Sequence, residues 1–130
     1  MDGGDVDAPT VTQRTRAGSV LGTVGYMSPE QVTGRPADHR SDIFALGCVI
    51  SEMVSGQRAF GRDSAVETMH AILREEPAGL VAEGLNLPVA LESTIRRCLE
   101  KEPEARFQSA SDLAYSLRSL ATSTVAPIPA

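Results

Sequence analysis

One apolar stretch limits what this chain can fold into: it runs from Ser41 to Gly56 and reads SDIFALGCVISEMVSG. Ser41 is predicted to cap a helix, Asp42 suits the positive end of its dipole, and Gly56 can end it in a left-handed conformation. The apolar residues cover nearly the whole circumference, which is typical of a helix buried on all sides. The stretch is shorter than the ~20 apolar residues that cross a bilayer, so it predicts a core helix.

Gly47 lies in the middle of this predicted helix, where glycine costs about 1 kcal/mol relative to alanine. Such a glycine is tolerated mainly where a neighbouring segment packs too close for a side chain. We therefore favour close packing at Gly47 over the alternative of an incidental small residue.

Length and charge restrict the class of protein. The chain has 130 residues, 42% of them hydrophobic, which suffices for one domain with a modest core. Its formal net charge of −5 argues against a nucleic-acid surface, which needs clustered lysine and arginine. The N-terminal sequence MDGGDVDAPT lacks the basic residues and the apolar run of a signal peptide. We expect a cytoplasmic protein that neither binds nucleic acid nor inserts into a membrane.

The two cysteines, Cys48 and Cys98, lie in separate helical patterns with no second cysteine or histidine at metal-ligand spacing. We therefore predict no metal site. Both residues are typical of small buried apolar side chains in a reducing compartment, and a single disulfide between them is the alternative.

Residues 1–20 contain almost no large apolar side chains, so burial cannot offset the entropy of ordering them. This composition predicts a mobile segment. A phosphate added to one of its hydroxyl groups would pair with Arg14 or Arg16 and order the segment. The candidate phosphorylation sites are Thr10, Thr12, Thr15 and Ser19. The alternative is a solvated tail without such a role.

From Leu21 the sequence LGTVGYMSPEQ resembles the end of the activation segment of eukaryotic-like serine/threonine protein kinases. That similarity is carried by Gly22, Thr23, Tyr26, Met27, Ser28, Pro29 and Glu30, with Ser-Pro-Glu where Ala-Pro-Glu is commoner. The family's D-x-W-x-x-G is matched by Asp42, Phe44 and Gly47, with phenylalanine where tryptophan is usual. Its L-x-x-x-P-x-x-R-F is matched by LEKEPEARF, which contains Arg106. The resemblance covers residues 7–120.

The resemblance implies a mainly α fold, namely the helical C-terminal lobe of a protein kinase without its β-rich N-terminal lobe. We expect an activation-loop-like segment at 1–20, the helical lobe at 21–120 and a disordered tail or linker at 121–130. In the family, segments that precede the activation loop cover part of the central helix. An apolar face of that helix is therefore expected to be exposed here.

Three further helices are predicted from caps and apolar spacing. One begins after Ser64 and runs to about Arg74, and the next begins at Pro88. The last begins after Ser109 and loses its apolar periodicity after Leu120. Lys101, the only lysine, is expected to stabilise the C-terminal end of the helix that Pro88 begins.

The resemblance assigns structural roles to four residues. Glu30 and Arg106 would form a buried ion pair that ties the activation segment to the late helices. Outside the motif context, each would be read as a solvated surface charge. Asp42 is expected to be a structural carboxylate that in the family accepts hydrogen bonds from the catalytic loop, and Gly47 a site of close packing.

A second group of residues resembles the substrate-binding part of the family. Thr23 resembles the threonine that contacts the catalytic aspartate, and an ordinary loop threonine is the alternative. The next four residues resemble the surface that receives the substrate residue after the phosphorylated one, and we call residues 24–27 the shelf. Its members are Val24, Gly25, Tyr26 and Met27. The resemblance implies serine or threonine side chains of proteins as substrates.

The motifs that bind nucleotide and metal in this family do not occur in the 130 residues. There is no G-x-G-x-x-G, V-A-I-K, H-R-D-L-x-x-x-N or D-F-G, and H-R-S-D at residues 39–42 has an extra residue relative to H-R-D. We expect the chain to begin at or just after the place of D-F-G. No cofactor is expected for this chain, whereas ATP and Mg²⁺ belong to the complete family domain.

We therefore predict part of a serine/threonine protein kinase domain that is inactive alone, with a protein substrate or a regulatory protein as partner. The family is one of enzymes, but this chain lacks the motifs for the chemical step. The alternative is a non-catalytic helical protein-interaction module derived from the kinase fold. An unrelated helix-turn-helix regulator is disfavoured by the acidic charge.

Overall fold

The structure is a computed structural model, and it describes residues 23–81 and 85–124. Every regular element in these ranges is helical, which confirms the mainly α fold. The helices are α1 (Pro29–Val32), α2 (His39–Ser55), α3 (Ala65–Arg74), α4 (Ala78–Val81), α5 (Val89–Cys98) and α6 (Ala110–Thr124), with a 3-10 turn at Pro103–Ala105. The central element is α2, which packs against α4 and α5, while α5 also packs against α6 and α1 against α3.

Several predicted features lie outside these residues. They include the whole segment 1–20 with Thr10, Thr12, Thr15 and Ser19, and residues 125–130 of the predicted tail. The last helix, however, continues to Thr124, so its predicted end near Leu120 is wrong. Ala121 favours a helix in the added turn, and the Thr122 hydroxyl is accommodated there by a bond to the Arg118 carbonyl at 3.1 Å.

The start of α2 differs from the prediction. Asp38, not Ser41, is the N-cap, and its carboxylate accepts from the Arg40 backbone N–H at 2.9 Å. Ser41 does not cap the helix, because its buried hydroxyl donates to the carboxylate of Glu30, which lies 11 residues earlier in the sequence. The other two signals are confirmed: Asp42 lies in the first turn, and Gly56 ends α2 with φ of 77°.

The prediction that α2 is buried on all sides is wrong for one face. Leu46, Val49 and Met53 are 43%, 41% and 76% exposed, whereas Phe44 and Cys48 are buried. The described helices cover only one side of α2. The exposed apolar face that the resemblance implied is therefore confirmed.

Gly47 lies where α2 meets α5. A Cβ atom at this position would lie 2.6 Å from the Cβ atom of Cys98 and 3.0 Å from Cδ2 of Leu99. The predicted close packing is confirmed, because even a methyl group would overlap with α5.

Two aromatic rings form the centre of the core. Phe44 of α2 and Phe60 are fully buried and stack with 5.7 Å between ring centroids. The Lys101 ammonium lies 4.4 Å from the centroid of Phe60, and the Arg106 guanidinium lies 5.1 Å from that of Phe44. Each ring thus has a cation on it, which is a favourable arrangement for an aromatic face.

Lys101 stabilises a different helix from the one predicted. Its ammonium donates to the carbonyls of Ile72 and Glu75, both at 2.7 Å, and these lie at the carboxyl end of α3 rather than of α5. Burial lowers the pKa of Lys101. The long-range contact follows from the loop after α5, which brings residue 101 back to α3.

The remaining local predictions are confirmed. The hydroxyls of Ser64 and Ser109 accept the backbone N–H groups of Glu67 and Asp112, each at 3.1 Å, and α5 follows Pro88.

Cys48 and Cys98 are buried and free, so the alternative of a disulfide does not hold. Burial raises the pKa of both thiols to about 12. None of the helices in the described part of the chain has both the length and the apolar character that spanning a bilayer requires.

Candidate functional site

The shelf is a turn of two buried and two half-buried residues that follows the exposed Thr23. The backbone N–H groups of Tyr26 and Met27 donate to the carbonyls of Thr23 and Val24 at 3.0 and 3.1 Å. Thr23 is exposed, whereas Val24 is buried in the core cluster that contains Phe44. The turn therefore keeps the Thr23 side chain accessible while an apolar neighbour anchors the backbone.

Tyr26 ties the shelf to α2. Its hydroxyl donates to Oε1 of Glu52 at 2.6 Å, across 26 residues of sequence. This hydrogen bond, with burial and the negative charge of Glu52, raises the pKa of Tyr26. Glu52 was missed from sequence, where it stands out as the one carboxylate in the mainly apolar stretch from Ile43 to Val54.

The segment after the shelf is fixed by α1. Ser28 caps this helix, with its hydroxyl accepting the Gln31 N–H and the Gln31 side chain accepting the Ser28 N–H. Pro29 follows at the first helical position, where its missing N–H costs nothing. Glu30 then lies in the first turn of α1 and is buried.

Glu30 and Arg106 meet in a bidentate ion pair. Nη1 and Nη2 of Arg106 each donate to one carboxylate oxygen of Glu30 at 2.8 Å. The exposed fractions of the two side chains are 0% for Arg106 and 3% for Glu30. Arg106 also donates to the carbonyls of Glu100, Arg40 and Lys101. The pair thus joins α1, the start of α2 and the loop before α6.

The charge on Glu30 is favoured despite its burial. Burial alone would raise its pKa, but the hydrogen bonds from Arg106 and Ser41 outweigh that effect and hold the pKa at about 2, against an ordinary 4.5. The Ser41 hydroxyl donates to Oε2 of Glu30 at 2.5 Å. Glu30 is therefore ionised at neutral pH, and its negative charge is fully paired.

The other two structural residues lie apart from this network. Asp42 is exposed, and within the described ranges its side chain has no hydrogen bond or ion pair. Gly47 contacts α5, as described above. Asp42 therefore stays a prediction, because the catalytic loop that would contact it does not occur in this sequence.

The described residues around the shelf form a surface turn and the contacts that anchor it. Within residues 23–81 and 85–124, no group of three or more histidine, cysteine, aspartate or glutamate side chains could hold a metal ion. The conserved motifs for ATP and Mg²⁺ are also missing from the sequence, so the residues present do not fit these groups. The structure provides a surface turn that is held by its backbone hydrogen bonds and by the contact of Tyr26 with Glu52. Thr23 is exposed beside this turn.

Comparisons with known proteins identify the family. Residues 7–116 match the model of the protein kinase domain. The serine/threonine-protein kinase PknB of Mycobacterium tuberculosis H37Rv is 37% identical over 103 residues, which are 79% of this chain and 16% of that protein.

Two further relatives are also named as serine/threonine-protein kinases. PknB of Mycobacterium leprae is 36% identical over 106 residues, covering 82% of this chain and 17% of that protein, and PksC of Streptomyces coelicolor is 39% identical over 93 residues, covering 72% and 17%. The chain thus spans less than a fifth of each of these relatives. The resemblance recognised in the sequence is confirmed: the chain belongs to the protein kinase family.

Proposed function

We propose that this chain supplies the substrate-facing end of the activation segment, and the helices beneath it, in a serine/threonine protein kinase domain. In the complete domain the reaction would be the ATP-dependent transfer of a phosphoryl group to a serine or threonine hydroxyl of a protein. The observation that carries the proposal is the buried Glu30–Arg106 pair, because it fixes the chain directly after the shelf.

Three contacts support a binding role for the shelf. Val24 is anchored in the core, the Tyr26 hydroxyl is bound by Glu52, and Ser28 caps α1. These anchors occur within five consecutive residues, so little backbone freedom is left to lose when a substrate binds. Thr23 stays exposed beside them, where the resemblance places the contact with the catalytic aspartate.

A cytosolic location and a protein partner belong to the same proposal. The two thiols of the chain are buried and free, which is the state that a reducing compartment maintains. Serine or threonine side chains of a protein substrate, or a regulatory protein, would contact the shelf.

The isolated 130-residue polypeptide should not transfer phosphate. Each tenfold loss of rate corresponds to about 1.36 kcal/mol of barrier, and here every nucleotide and metal ligand of the family is missing together. Incubation with radiolabelled ATP, Mg²⁺ and serine peptides should label neither the peptides nor the chain above a buffer blank. Label above the blank would overturn this part of the proposal.

A hybrid enzyme tests the substrate role. Residues 23–124 would replace the aligned segment in the kinase domain of M. tuberculosis PknB, and the hybrid should phosphorylate serine or threonine peptides. Thr23→Ala should lower kcat/KM at least about tenfold, because a positioning contact is lost. Thr122→Ala, on the exposed surface of α6, is the matched control and should have no effect. A hybrid that folds and binds ATP but is inactive, or is insensitive to Thr23→Ala, would contradict the proposal.

A second candidate function, a non-catalytic interaction module, is favoured by the apolar side chains exposed on α2. Leu46, Val49 and Met53 form a surface of the kind that marks protein contacts. Such a module would compete with an active kinase for its protein substrate. Adding the chain to PknB should then reduce substrate phosphorylation, and Met53→Lys, which places a charge on this surface, should abolish that inhibition. Tyr115→Ala, which changes an exposed residue of α6, is the control.

A further inference from the structure

Ser28 departs from the commoner Ala-Pro-Glu, and the structure gives its hydroxyl a defined place. Ser28 and Ser41 are both buried, although they belong to different elements and lie 13 residues apart. A buried hydroxyl is costly unless it is hydrogen-bonded. Both hydroxyls are bonded here, and they are bonded to each other at 3.0 Å.

The direction of these hydrogen bonds follows from the carboxylate and from the distances between the oxygen atoms. The Glu30 carboxylate can only accept, so the single hydroxyl proton of Ser41 must point to Oε2 of Glu30, 2.5 Å away. The Ser28 hydroxyl has two acceptors within reach, Ser41 Oγ at 3.0 Å and Gln31 Oε1 at 3.2 Å, and it donates to the nearer one, Ser41. The Ser28 hydroxyl itself accepts the backbone N–H of Gln31 at 3.3 Å. The bonds form a relay in one direction, from the backbone of α1 through two hydroxyls to the carboxylate. Bonds aligned in this way polarise and strengthen one another.

The relay begins at the residue that follows the shelf. Ser28 comes directly after Met27, and Ser41 lies in the first turns of α2. Oε2 of Glu30 therefore has two donors, Ser41 and Nη1 of Arg106, on different elements. Two donors restrict the rotation of the carboxylate, and the hydroxyl of Ser28 holds the end of the shelf against α2.

We propose that Ser28 and Ser41 are positioning residues, which hold the end of the shelf against α2 and orient the carboxylate of Glu30. The inference rests on the proposed function only in regarding residues 24–27 as a substrate shelf. An alanine at position 28 would leave the ion pair in place and loosen the shelf. The ion pair and the relay are thus separable by mutation.

Hydrogen exchange in the full 130-residue chain tests the positioning directly. The reporters are the amides of Tyr26 and Met27, whose turn bonds to Thr23 and Val24 close the shelf. In both Ser28→Ala and Ser41→Ala these amides should exchange about tenfold faster, whereas amides in α6 should not change. Ser93→Ala, an exposed serine of α5, is the matched control. Unchanged exchange at residues 26 and 27 in Ser28→Ala would overturn the proposal.

A pH profile distinguishes orientation of Glu30 from simple packing. Arg106 and Arg40 are the cations near this carboxylate, and both stay charged throughout the acid range. Asp38 also titrates in acid, but it is paired with Arg40 in every variant. Ser41→Ala should move the midpoint of acid unfolding to higher pH, because Glu30 loses a donor, and Ser28→Ala should move it less in the same direction. A loss of stability that is equal at all pH values would contradict the relay.

These results are independent of catalysis. If the hybrid kinase were inactive while the amides of residues 26 and 27 responded as stated, the proposed function would fail and the relay would stand. If the hybrid were active and exchange did not respond, the relay alone would fail.

Discussion

Replacing Glu30 by glutamine removes one charge of the buried pair and nearly preserves side-chain size. The Arg106 guanidinium would keep its bonds to the carbonyls of Glu100, Arg40 and Lys101 but would lose its counter-charge. Breaking a buried pair by removing one partner costs about 3 to 5 kcal/mol, because the remaining charge stays buried. We expect Glu30→Gln to lower the free energy of unfolding by about 3 kcal/mol at pH 7.

The pKa of Glu30 gives a second estimate of the same quantity. The pKa is about 2 in the folded chain and 4.5 ordinarily, so the ionised form favours the folded state. The difference of about 2.5 pH units, at 1.36 kcal/mol per unit, corresponds to about 3 kcal/mol. This stability is fully present above pH 4.5 and is lost as the pH falls towards 2. In Glu30→Gln that part of the acid dependence should be absent.

Urea unfolding followed by circular dichroism at pH 7 and pH 3 measures both effects. The matched control is Glu92→Gln, which breaks a surface pair with Arg96 that is worth about 1 kcal/mol or less. Arg106→Leu should cost more than Glu30→Gln, because three backbone carbonyls also lose their donor. The reasoning is refuted if Glu30→Gln costs less than about 1 kcal/mol, or no more than the control.

Three further predictions concern the core and the exposed face of α2. Gly47→Ala should destabilise the chain by about 1 to 3 kcal/mol in urea unfolding, because the new methyl group overlaps with Cys98; a more stable variant would contradict the close packing. Lys101→Met should lower the free energy of unfolding by about 1 to 3 kcal/mol, because the carbonyls of Ile72 and Glu75 at the end of α3 lose their donor. The midpoint of thermal unfolding should fall accordingly, and an unchanged midpoint would contradict that contact. Met53→Lys should reduce both the binding of an apolar fluorescent dye and self-association in gel filtration, without lowering the free energy of unfolding. Dye binding equal to that of the unsubstituted chain would show that the apolar surface lies elsewhere.

Local signals in the sequence predicted the four longer helices, but the short helix α4 lies in a stretch whose proline and glycine residues predicted a loop. The apolar pattern and Gly56 identified α2, and Ser64 and Ser109 identified the starts of α3 and α6. These signals act over a few residues, so they can be read directly. The start of α2 was misassigned because both Asp38 and Ser41 can cap a helix, and only the position of Glu30 decides between them.

Long-range contacts could not be derived from periodicity. Glu30 and Arg106 are 76 residues apart, and only the family motifs indicated that they meet. No motif marked the contact of Tyr26 with Glu52 or that of Lys101 with the end of α3. Such contacts depend on how segments distant in sequence pack together, which local sequence does not determine.

Disulfide trapping tests most directly whether the shelf faces a substrate. Cys48 and Cys98 are buried with pKa values of about 12, so a single exposed cysteine introduced by Thr23→Cys would be the reactive thiol. It would be offered serine-kinase substrate peptides in which cysteine replaces the acceptor serine, with diamide as the oxidant. The two thiols then join as a disulfide, and diamide takes up their two electrons and two protons. We predict that Thr23→Cys captures these peptides about tenfold faster than Thr122→Cys on α6, because bound peptide raises the local thiol concentration. Equal capture at the two positions would contradict the assignment of residues 24–27 as a substrate shelf.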